Sequence, residues 1–402
     1  MSSGVLDGAA TAWRAWVDRH ATGGPTVGGR LVPWLAGWVR SPLAPRAVRR
    51  RAPSAPVARP LVSVVVPCFG YGRFLPQTVE SLVTQADVDV EVIIVDDAST
   101  DDSLAVAREL AERHPAVRVV ANRYNVGQVA SFNKGWAVST GDLVVRLDAD
   151  DMLPPGALAR AAAILERYPE VGLVYGHPHH FDDGTVPEPA LGELSWTIWS
   201  GQKWLAERCR TGVSCITSPE VVMRSALLKE IGALDPALRF TMDVEMWLRL
   251  AAVSDVAYVG GADQALHREH AASLSVNEGS GALLDLRARA DAYDRLFVNV
   301  ADLLPERTGL HDRARVALAR DALRYAAAAA DRREPPDEYL GFATDVWPTS
   351  KAWRSTRRVM DRAERAERPG RSPVPRVGAA VRRVGRRART ELMYLRWATS
   401  GL

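Results

Sequence analysis

The sequence predicts an α/β fold, in which a Rossmann-like, mostly parallel sheet is flanked by helices. Three observations predict it. Short apolar runs rich in β-branched residues alternate with segments of helical period. The runs are apolar throughout, as expected of strands buried on both faces. Polar motifs follow three of the runs, and the carboxyl ends of the strands form the ligand-binding edge of such sheets, so a single site is expected there.

The elements alternate between strand and helix from residue 61 onwards, which is the order that builds a parallel sheet. Strands are predicted at 61–66, 90–95, 117–120, 142–147 and 171–175. Helices are predicted at about 74–85, 101–113, 128–139 and 156–167, and a later one at 241–251. Pro154 and Pro155 start the fourth helix, since proline suits the first helical turn.

The chain of 402 residues is long enough for two domains or for one large domain with appendages. Residues 1–60 read as an extension ending in a Pro-, Ala- and Arg-rich linker, 61–275 as the core, and 276–402 as a helical region with a basic tail.

The net charge is +7 over 1–60 and +11 over 351–402, which leaves −15 on the middle of the chain. An acidic body excludes a nucleic-acid-binding core. The two basic terminal segments are expected to contact an anionic membrane surface, a partner or only solvent.

The compartment predicted from cysteine content is the cytoplasm. Three cysteines, Cys68, Cys209 and Cys215, are too few and too unevenly spaced for a disulfide framework or a zinc site. We see no secretory signal and no stretch of 18 apolar residues that would span a membrane.

The acidic loop Leu147–Asp151 follows the strand at 142–147 and holds three carboxylates in four residues, on Asp148, Asp150 and Asp151. Crowded carboxylates repel one another unless a cation lies between them. Mg²⁺ or Mn²⁺ is the expected ion, because both prefer oxygen ligands and leave positions open for phosphates. The alternative is a solvated acidic turn. No glycine-rich dinucleotide or P-loop motif is present in the sequence, so phosphates would be held by a metal.

Five stretches in order resemble family-2 glycosyltransferases of the GT-A fold, over roughly 61–275. They are Val62–Phe69, Ile93–Asp101, Asn125–Gly127 with Asn133–Gly135, Leu147–Asp151, and Gly232–Asp235 leading into Met242–Leu250. The resemblance implies a nucleotide-sugar-binding half, 61–180, and an acceptor half, 181–275. It also implies an inverting hexosyltransferase. The Gln-x-x-Arg-Trp of processive synthases is absent from the sequence after Asp243, so a non-processive enzyme is expected.

The resemblance implies roles for individual residues. Pro67 and Phe69 would line the nucleotide base pocket, and Asp97 would hydrogen-bond the base, which is uracil in relatives that use UDP-sugars. Lys134 and Arg268 would also bind the donor. The alternative for Asp97 is a turn that caps the next helix, and the alternative for Lys134 is a solvated lysine.

The acidic loop would supply the DxD motif of the family. Asp148 would bind the ribose, Asp150 would bind donor and metal, and Asp151 would bind metal. His270, in an Arg-x-His stretch, would complete the Mn²⁺ or Mg²⁺ site, or would otherwise lie on the surface.

Asp243 matches the catalytic base of the family. It would take the proton from the acceptor hydroxyl as that oxygen displaces the nucleotide diphosphate. Alternatively, an Asp in a first helical turn only complements the helix dipole. The donor expected is a nucleotide-diphosphate sugar, with a UDP-sugar favoured, and the acceptor is an unknown hydroxyl. Other functions considered are a sugar nucleotidyltransferase and a non-catalytic sugar-nucleotide-binding module.

Two further segments have two interpretations each. The tryptophans between Trp196 and Trp204 suit either sugar stacking in the acceptor site or packing in the core. The basic segment from Val377, which ends in Tyr394 and Trp397, has the pattern of a peripheral helix at the inner membrane face, and Trp34 and Trp38 would form a second patch. A helix docked on the core or a solvated tail fits the same pattern.

Overall fold

A computed structural model describes residues 44–182, 184–270, 281–300, 302–304, 307–367, 396–398 and 400–402. Its described residues form two compact units. The sheet unit contains 44–205, 214–270, 398 and 400–402, and the helical unit contains 206–213 and the described residues from 281 to 397.

The sheet unit is organised around one sheet, in which the described residues contribute nine strands. In chain order they are β1 (Ala47–Arg50), β2 (Leu61–Cys68), β3 (Asp89–Asp96), β4 (Val117–Ala121), β5 (Leu143–Arg146), β6 (Val171–Asp182), β7 (Leu191–Trp199), β8 (Val222–Arg224) and β9 (Asp255–Glu269). Their order across the sheet is β1-β7-β9-β6-β8-β5-β2-β3-β4. The expected α/β class with a sheet flanked by helices is therefore confirmed.

The block β5-β2-β3-β4 is parallel, as the alternating sequence pattern predicts. Strand β2 is almost wholly buried, as its continuous apolar run requires. Beyond this block the sheet is mixed. The short strand β8 lies antiparallel to both β5 and β6 and separates them, whereas β6 and β9 run parallel. A strand of three residues is too short to leave a periodic signal in the sequence.

Five helices of the sheet unit agree with the predicted ones to within two residues at each end. They are α1 (Leu75–Val83), α2 (Ser103–Arg113), α3 (Gln128–Ala137), α4 (Ala157–Arg167) and α7 (Met242–Val253). Two helices were not predicted: α5 (Gly201–Thr211), which leads into the helical unit, and α6 (Ser225–Ile231). Gly135 lets α3 lie directly on the parallel block, because a Cβ there would stand 2.5 Å from Val65 and 2.8 Å from Val95.

The tryptophan segment belongs to the core. Trp196, Trp199 and Trp204 are all buried, and the Trp204 indole N–H donates to the hydroxyl of Tyr175 at 3.3 Å. Packing, and not sugar stacking, therefore explains these three side chains. Within the segment predicted as a linker, Ala47–Arg50 forms an edge strand that pairs antiparallel with β7.

The helical unit contains α8 (Ala282–Asn299), α9 (Arg307–Arg332), α10 (Asp337–Val346), a 3₁₀ turn (Pro348–Ala352) and α11 (Arg354–Glu367). Buried Arg289 joins its first two helices through ion pairs to Asp285, at 2.7 Å, and Asp321, at 3.0 Å. None of the helices in the described part of the chain is long and apolar enough to cross a membrane. Trp34, Trp38 and the basic segment from Val377 to Tyr394 lie outside the described residues.

Candidate active site

The predicted polar motifs meet at one edge of the parallel block. Strand β2 pairs in parallel with both β3 and β5, so the carboxyl ends of all three lie side by side. The backbone N–H of Asp97 donates to the carbonyl of Cys68 at 2.8 Å, and that of Leu147 donates to Val65 at 3.1 Å. The topology thus brings Phe69, the Asp96-Asp97 pair and the acidic loop to one place.

Both carboxylate oxygens of Asp97 accept hydrogen bonds from the protein. The residue is 3% exposed, and its carboxylate accepts hydrogen bonds from the backbone N–H groups of Val126 (2.9 Å) and Gly127 (2.8 Å) and from the side chain of Asn122 (2.8 Å). The ammonium group of Lys134 donates to the same Asn122 side chain at 2.6 Å. Asp97 and Lys134 therefore order the loop that precedes α3.

The carboxylate of Asp96 accepts fewer hydrogen bonds than that of Asp97. It is 1% exposed, its Oδ2 accepts the backbone N–H of Ser99 at 3.3 Å, and its Oδ1 has no hydrogen-bond partner among the described residues. A buried acceptor without a partner is costly, and a ligand N–H would satisfy it. Phe69, directly after β2, is 47% exposed and offers an apolar face at this edge, whereas Pro67 is buried in the strand.

Arg146 links the acidic loop to α7. This buried residue at the end of β5 forms a 2.7 Å ion pair with Asp148, whose side chain is 38% exposed. It also donates to Ser218 at 3.0 Å and to Gln128 at 2.7 Å. Its charge also interacts electrostatically with Asp243. Sequence reasoning treated Arg146 as part of an apolar strand. The available signal was a charged residue in that strand, directly before the acidic loop.

Asp243 lies in the first turn of α7, where the backbone N–H of Val244 donates to its Oδ1 at 2.7 Å. Burial raises the pKa of its carboxyl to about 6, although the charge of Arg146 and the hydrogen bond from Val244 oppose that rise. The carboxyl is therefore ionised at neutral pH and protonated only a little below it. A base with such a pKa is well matched to accepting a proton near pH 7.

Asp150 and His270 form a buried pair. Nε2 of His270 lies 2.9 Å from Oδ2 of Asp150, and the imidazole packs against the rings of Phe74 and Tyr71. Burial, together with the charges of Asp151 and Asp148, raises the pKa of Asp150 to about 8. Adjacent ligands of an octahedral ion with bonds of about 2.1 Å lie about 3 Å apart. The Asp150–His270 pair therefore fits a divalent ion.

Asp151 and Arg268 connect the acidic loop to β9 through hydrogen bonds. The carboxylate of Asp151 is fully buried and lies 3.0 Å from Nδ1 of His267, and it accepts the backbone N–H of Arg268 at 2.8 Å. The Arg268 guanidinium donates to the carbonyl of Asp150 at 3.1 Å and packs on the Phe74 ring.

The structure brings Asp150 and His270 together, but Asp150, Asp151 and His270 do not form a group of three with closely spaced ligand atoms. Among the described residues, such a group is formed instead by His180, His267 and Glu269. Sequence reasoning missed this second group, because its members come from strands far apart in the chain.

Comparison with known proteins places the sequence motifs in a family. Residues 63–232 match the family model described as glycosyl transferase family 2. An uncharacterized glycosyltransferase of Nostoc sp. is 32% identical over 151 residues, which cover 36% of this chain and 47% of the relative. One of Haemophilus influenzae is 30% identical over 108 residues, which cover 27% of this chain and 33% of the relative. The chain thus spans less than half the length of both relatives.

The fold has a counterpart among solved structures. The crystal structure of S. aureus TarS 1–349 in complex with UDP has a TM-score of 0.51 and 16% sequence identity to this chain, and the match covers 78% of this chain and 94% of TarS 1–349. At this identity the likeness concerns the fold alone. Together, the family match and the mixed sheet confirm the resemblance found in the sequence: residues 63–232 match glycosyltransferase family 2.

Proposed function

We propose that this protein is a non-processive, inverting glycosyltransferase that moves a sugar from a nucleotide-diphosphate sugar to an acceptor hydroxyl with the help of Mn²⁺ or Mg²⁺. The observation that carries the proposal is Arg146, which interacts with Asp148 of the acidic loop and with Asp243 of α7. The charge of Arg146 therefore couples the proposed donor-binding loop to the candidate base.

The donor base would lie over Phe69, with its N–H directed at Oδ1 of Asp96. The carboxylate oxygen of Asp96 without a hydrogen-bond partner supports this proposal, and the three hydrogen bonds that Asp97 already accepts favour a role for Asp97 in ordering the loop. Uracil carries a ring N–H of the required kind, so a UDP-sugar remains the favoured donor. The partly exposed Asp148 would bind the ribose.

The metal would be held by Asp150 and His270, and it would supply positive charge to the departing diphosphate. Asp151 and Arg268 would hold this pair in position, since their hydrogen bonds connect the acidic loop to β9. In the transfer step, the acceptor oxygen bonds to the anomeric carbon as the bond from that carbon to the diphosphate oxygen breaks. Asp243 takes the hydroxyl proton, and attack from the face opposite the leaving group inverts the configuration.

A nucleotidyltransferase is disfavoured by the loop after β2. Such an enzyme needs loop N–H groups to hold a triphosphate. Here the N–H of Gly70 donates to the hydroxyl of Ser99 at 3.1 Å, and that of Gly72 donates to Ser103 at 2.7 Å. Side chains of the β3–α2 loop and of the first residue of α2 therefore already bind these N–H groups.

The donor proposal is tested by thermal unfolding with UDP and Mn²⁺. A ligand that binds only the native state raises the melting temperature, and a concentration of 100 times Kd adds about 2.7 kcal/mol to the free energy of unfolding. We expect UDP to raise the melting temperature of the wild type with Mn²⁺ present, and to do so far less in EDTA or in Asp150→Asn. The control is Asp87→Asn, since Asp87 is exposed in the turn at the opposite end of β3 and its φ of 63° suits asparagine. An equal rise with and without EDTA would rule out the metal role.

Substitutions at Asp96 and Asp97 should have different effects in the same assay. Asp96→Asn is expected to weaken UDP binding by about 10- to 100-fold, the value of a hydrogen bond to a charged group, with little change in the melting temperature of the free protein. Asp97→Ala, in contrast, removes three hydrogen bonds and should lower the free energy of unfolding by about 2–3 kcal/mol. If Asp96→Asn binds UDP as the wild type does, Asp96 does not contact the base.

A further inference from the structure

Three side chains with metal-binding chemistry meet on one face of the β6–β9 pair. His180 lies directly opposite His267 in the parallel ladder, and Glu269 follows two residues later on the same strand. Since side chains alternate between the two faces of a sheet, all three project from the same face. One ligand atom from each lies within 4.8 Å of the other two. The register therefore assembles two imidazoles and a carboxylate from distant parts of the chain.

The spacing suits one small cation. Nδ1 of His180 lies 3.1 Å from Oε1 of Glu269, and the centroids of the two imidazole rings are 4.9 Å apart at an interplanar angle of 78°. Two ligands of a tetrahedral ion with bonds of about 2.0–2.1 Å lie about 3.3 Å apart. His180 and Glu269 are close to that separation already.

A second carboxylate orients His267. Its Nδ1 lies 3.0 Å from Oδ2 of the fully buried Asp151, whose other oxygen is fixed by the backbone N–H of Arg268. Metal-binding histidines commonly have this arrangement, in which a carboxylate holds one ring nitrogen and sets the direction of the other. The acidic loop thus supplies the outer support that such a site requires.

The surrounding charge favours a cation. The carboxylates of Asp151 and Glu269 flank the histidines. Arg268 stands between His267 and Glu269 in sequence but points to the other face of the strand, where its guanidinium packs on Phe74 and Phe181. The side chains of His267 and Glu269 are 19% and 32% exposed, so an ion has a route from solvent.

We propose that His180, His267 and Glu269 bind a divalent transition-metal ion, with Zn²⁺ the best match. Two imidazoles and one carboxylate are typical ligands of Zn²⁺, whereas Mg²⁺ and Mn²⁺ prefer sites rich in oxygen. The site is separate from the Asp150–His270 pair, because His270 follows Glu269 and packs with Phe74 on the opposite side of the strand. It is also independent of the proposed function, since a structural ion here would join β6 to β9 whatever the reaction.

The test is zinc binding to the full chain without any nucleotide. Protein stripped with a chelator is titrated with ZnCl₂ by calorimetry, and bound zinc is counted by elemental analysis. We expect one zinc ion per chain. His180→Gln and Glu269→Gln should each weaken binding at least tenfold, and Asp151→Asn should weaken it by about 10- to 100-fold through the orientation of His267. The matched control is His179→Gln, since His179 is the next residue of β6 but points to the other face, where its Nδ1 lies 3.2 Å from Asp263.

Three results would overturn the proposal. The first is a wild type that takes up no stoichiometric zinc. The second is His179→Gln losing zinc as fully as His180→Gln does. The third is loss of bound zinc in His270→Gln together with retention of zinc in His180→Gln. That result would place the ion on Asp150 and His270. Circular dichroism of each variant in chelator confirms folding, and the partly exposed Glu269→Gln decides the outcome if His180→Gln does not fold.

Discussion

Asp243→Asn is expected to lower turnover by about 10²–10⁴-fold, the usual contribution of a general base, while donor affinity stays close to that of the wild type. The amide has the shape of the carboxylate but cannot take the proton of the acceptor hydroxyl. Its oxygen can still accept the N–H of Val244, so the first turn of α7 should be preserved. Steady-state kinetics gives the loss in kcat, and UDP binding gives the donor affinity.

The alternative role of Asp243 predicts a different pattern. If this residue only complements the dipole of α7, its replacement should lower the melting temperature and leave the rate of the folded enzyme unchanged. Asp87→Asn again serves as the control for an Asp-to-Asn change. A turnover near that of the wild type would remove Asp243 from the mechanism.

Local sequence patterns were sufficient for the parallel half of the fold. Strands β2 to β5 and helices α1 to α4 each have an apolar run or a helical period that is complete within about a dozen residues. The rest of the sheet depends on pairings between distant segments. Strand β8 has three residues, and β9 pairs with β6 across more than eighty residues of chain. No local period encodes such pairings, so the mixed half could not be predicted.

The candidate site shows the same limit at the level of single side chains. The sequence places Asp96, Asp97 and the acidic loop at strand ends, which the structure confirms as positions. Both oxygens of Asp97 accept hydrogen bonds because Val126 and Gly127, about thirty residues away, donate to them. Among the described residues no group donates to Oδ1 of Asp96, and local sequence does not encode this difference. The electrostatic interactions of Arg146 with both Asp148 and Asp243 likewise depend on tertiary packing and not on sequence spacing.

Arg146→Met is expected to move the acid limb of the pH–rate profile to higher pH. In the wild type, kcat/KM should rise as Asp243 loses its proton, with a midpoint near the pKa of about 6. The Arg146 charge lowers the pKa of Asp243, so its removal leaves the carboxyl protonated to higher pH and lowers the rate most at the acid end. Stability should also fall, by about 2–3 kcal/mol. Breaking a buried ion pair costs about 3–5 kcal/mol, and the partial exposure of Asp148 reduces that cost.

Arg160→Met separates the electrostatic effect from loss of packing. Arg160 is as buried as Arg146 and lies in the same unit. Its guanidinium donates hydrogen bonds to the side chain of Gln264 and to the backbone carbonyls of Pro155 and Asp263. Its replacement should lower the melting temperature comparably and leave the midpoint of the pH profile in place. Arg146→Lys keeps the charge and should restore most of the wild-type midpoint, although a lysine cannot reproduce the contacts of the guanidinium to Gln128 and Ser218. If Arg146→Met and Arg160→Met have the same pH profile, Arg146 only supports the structure, and the electrostatic link between the acidic loop and Asp243 has no part in the rate.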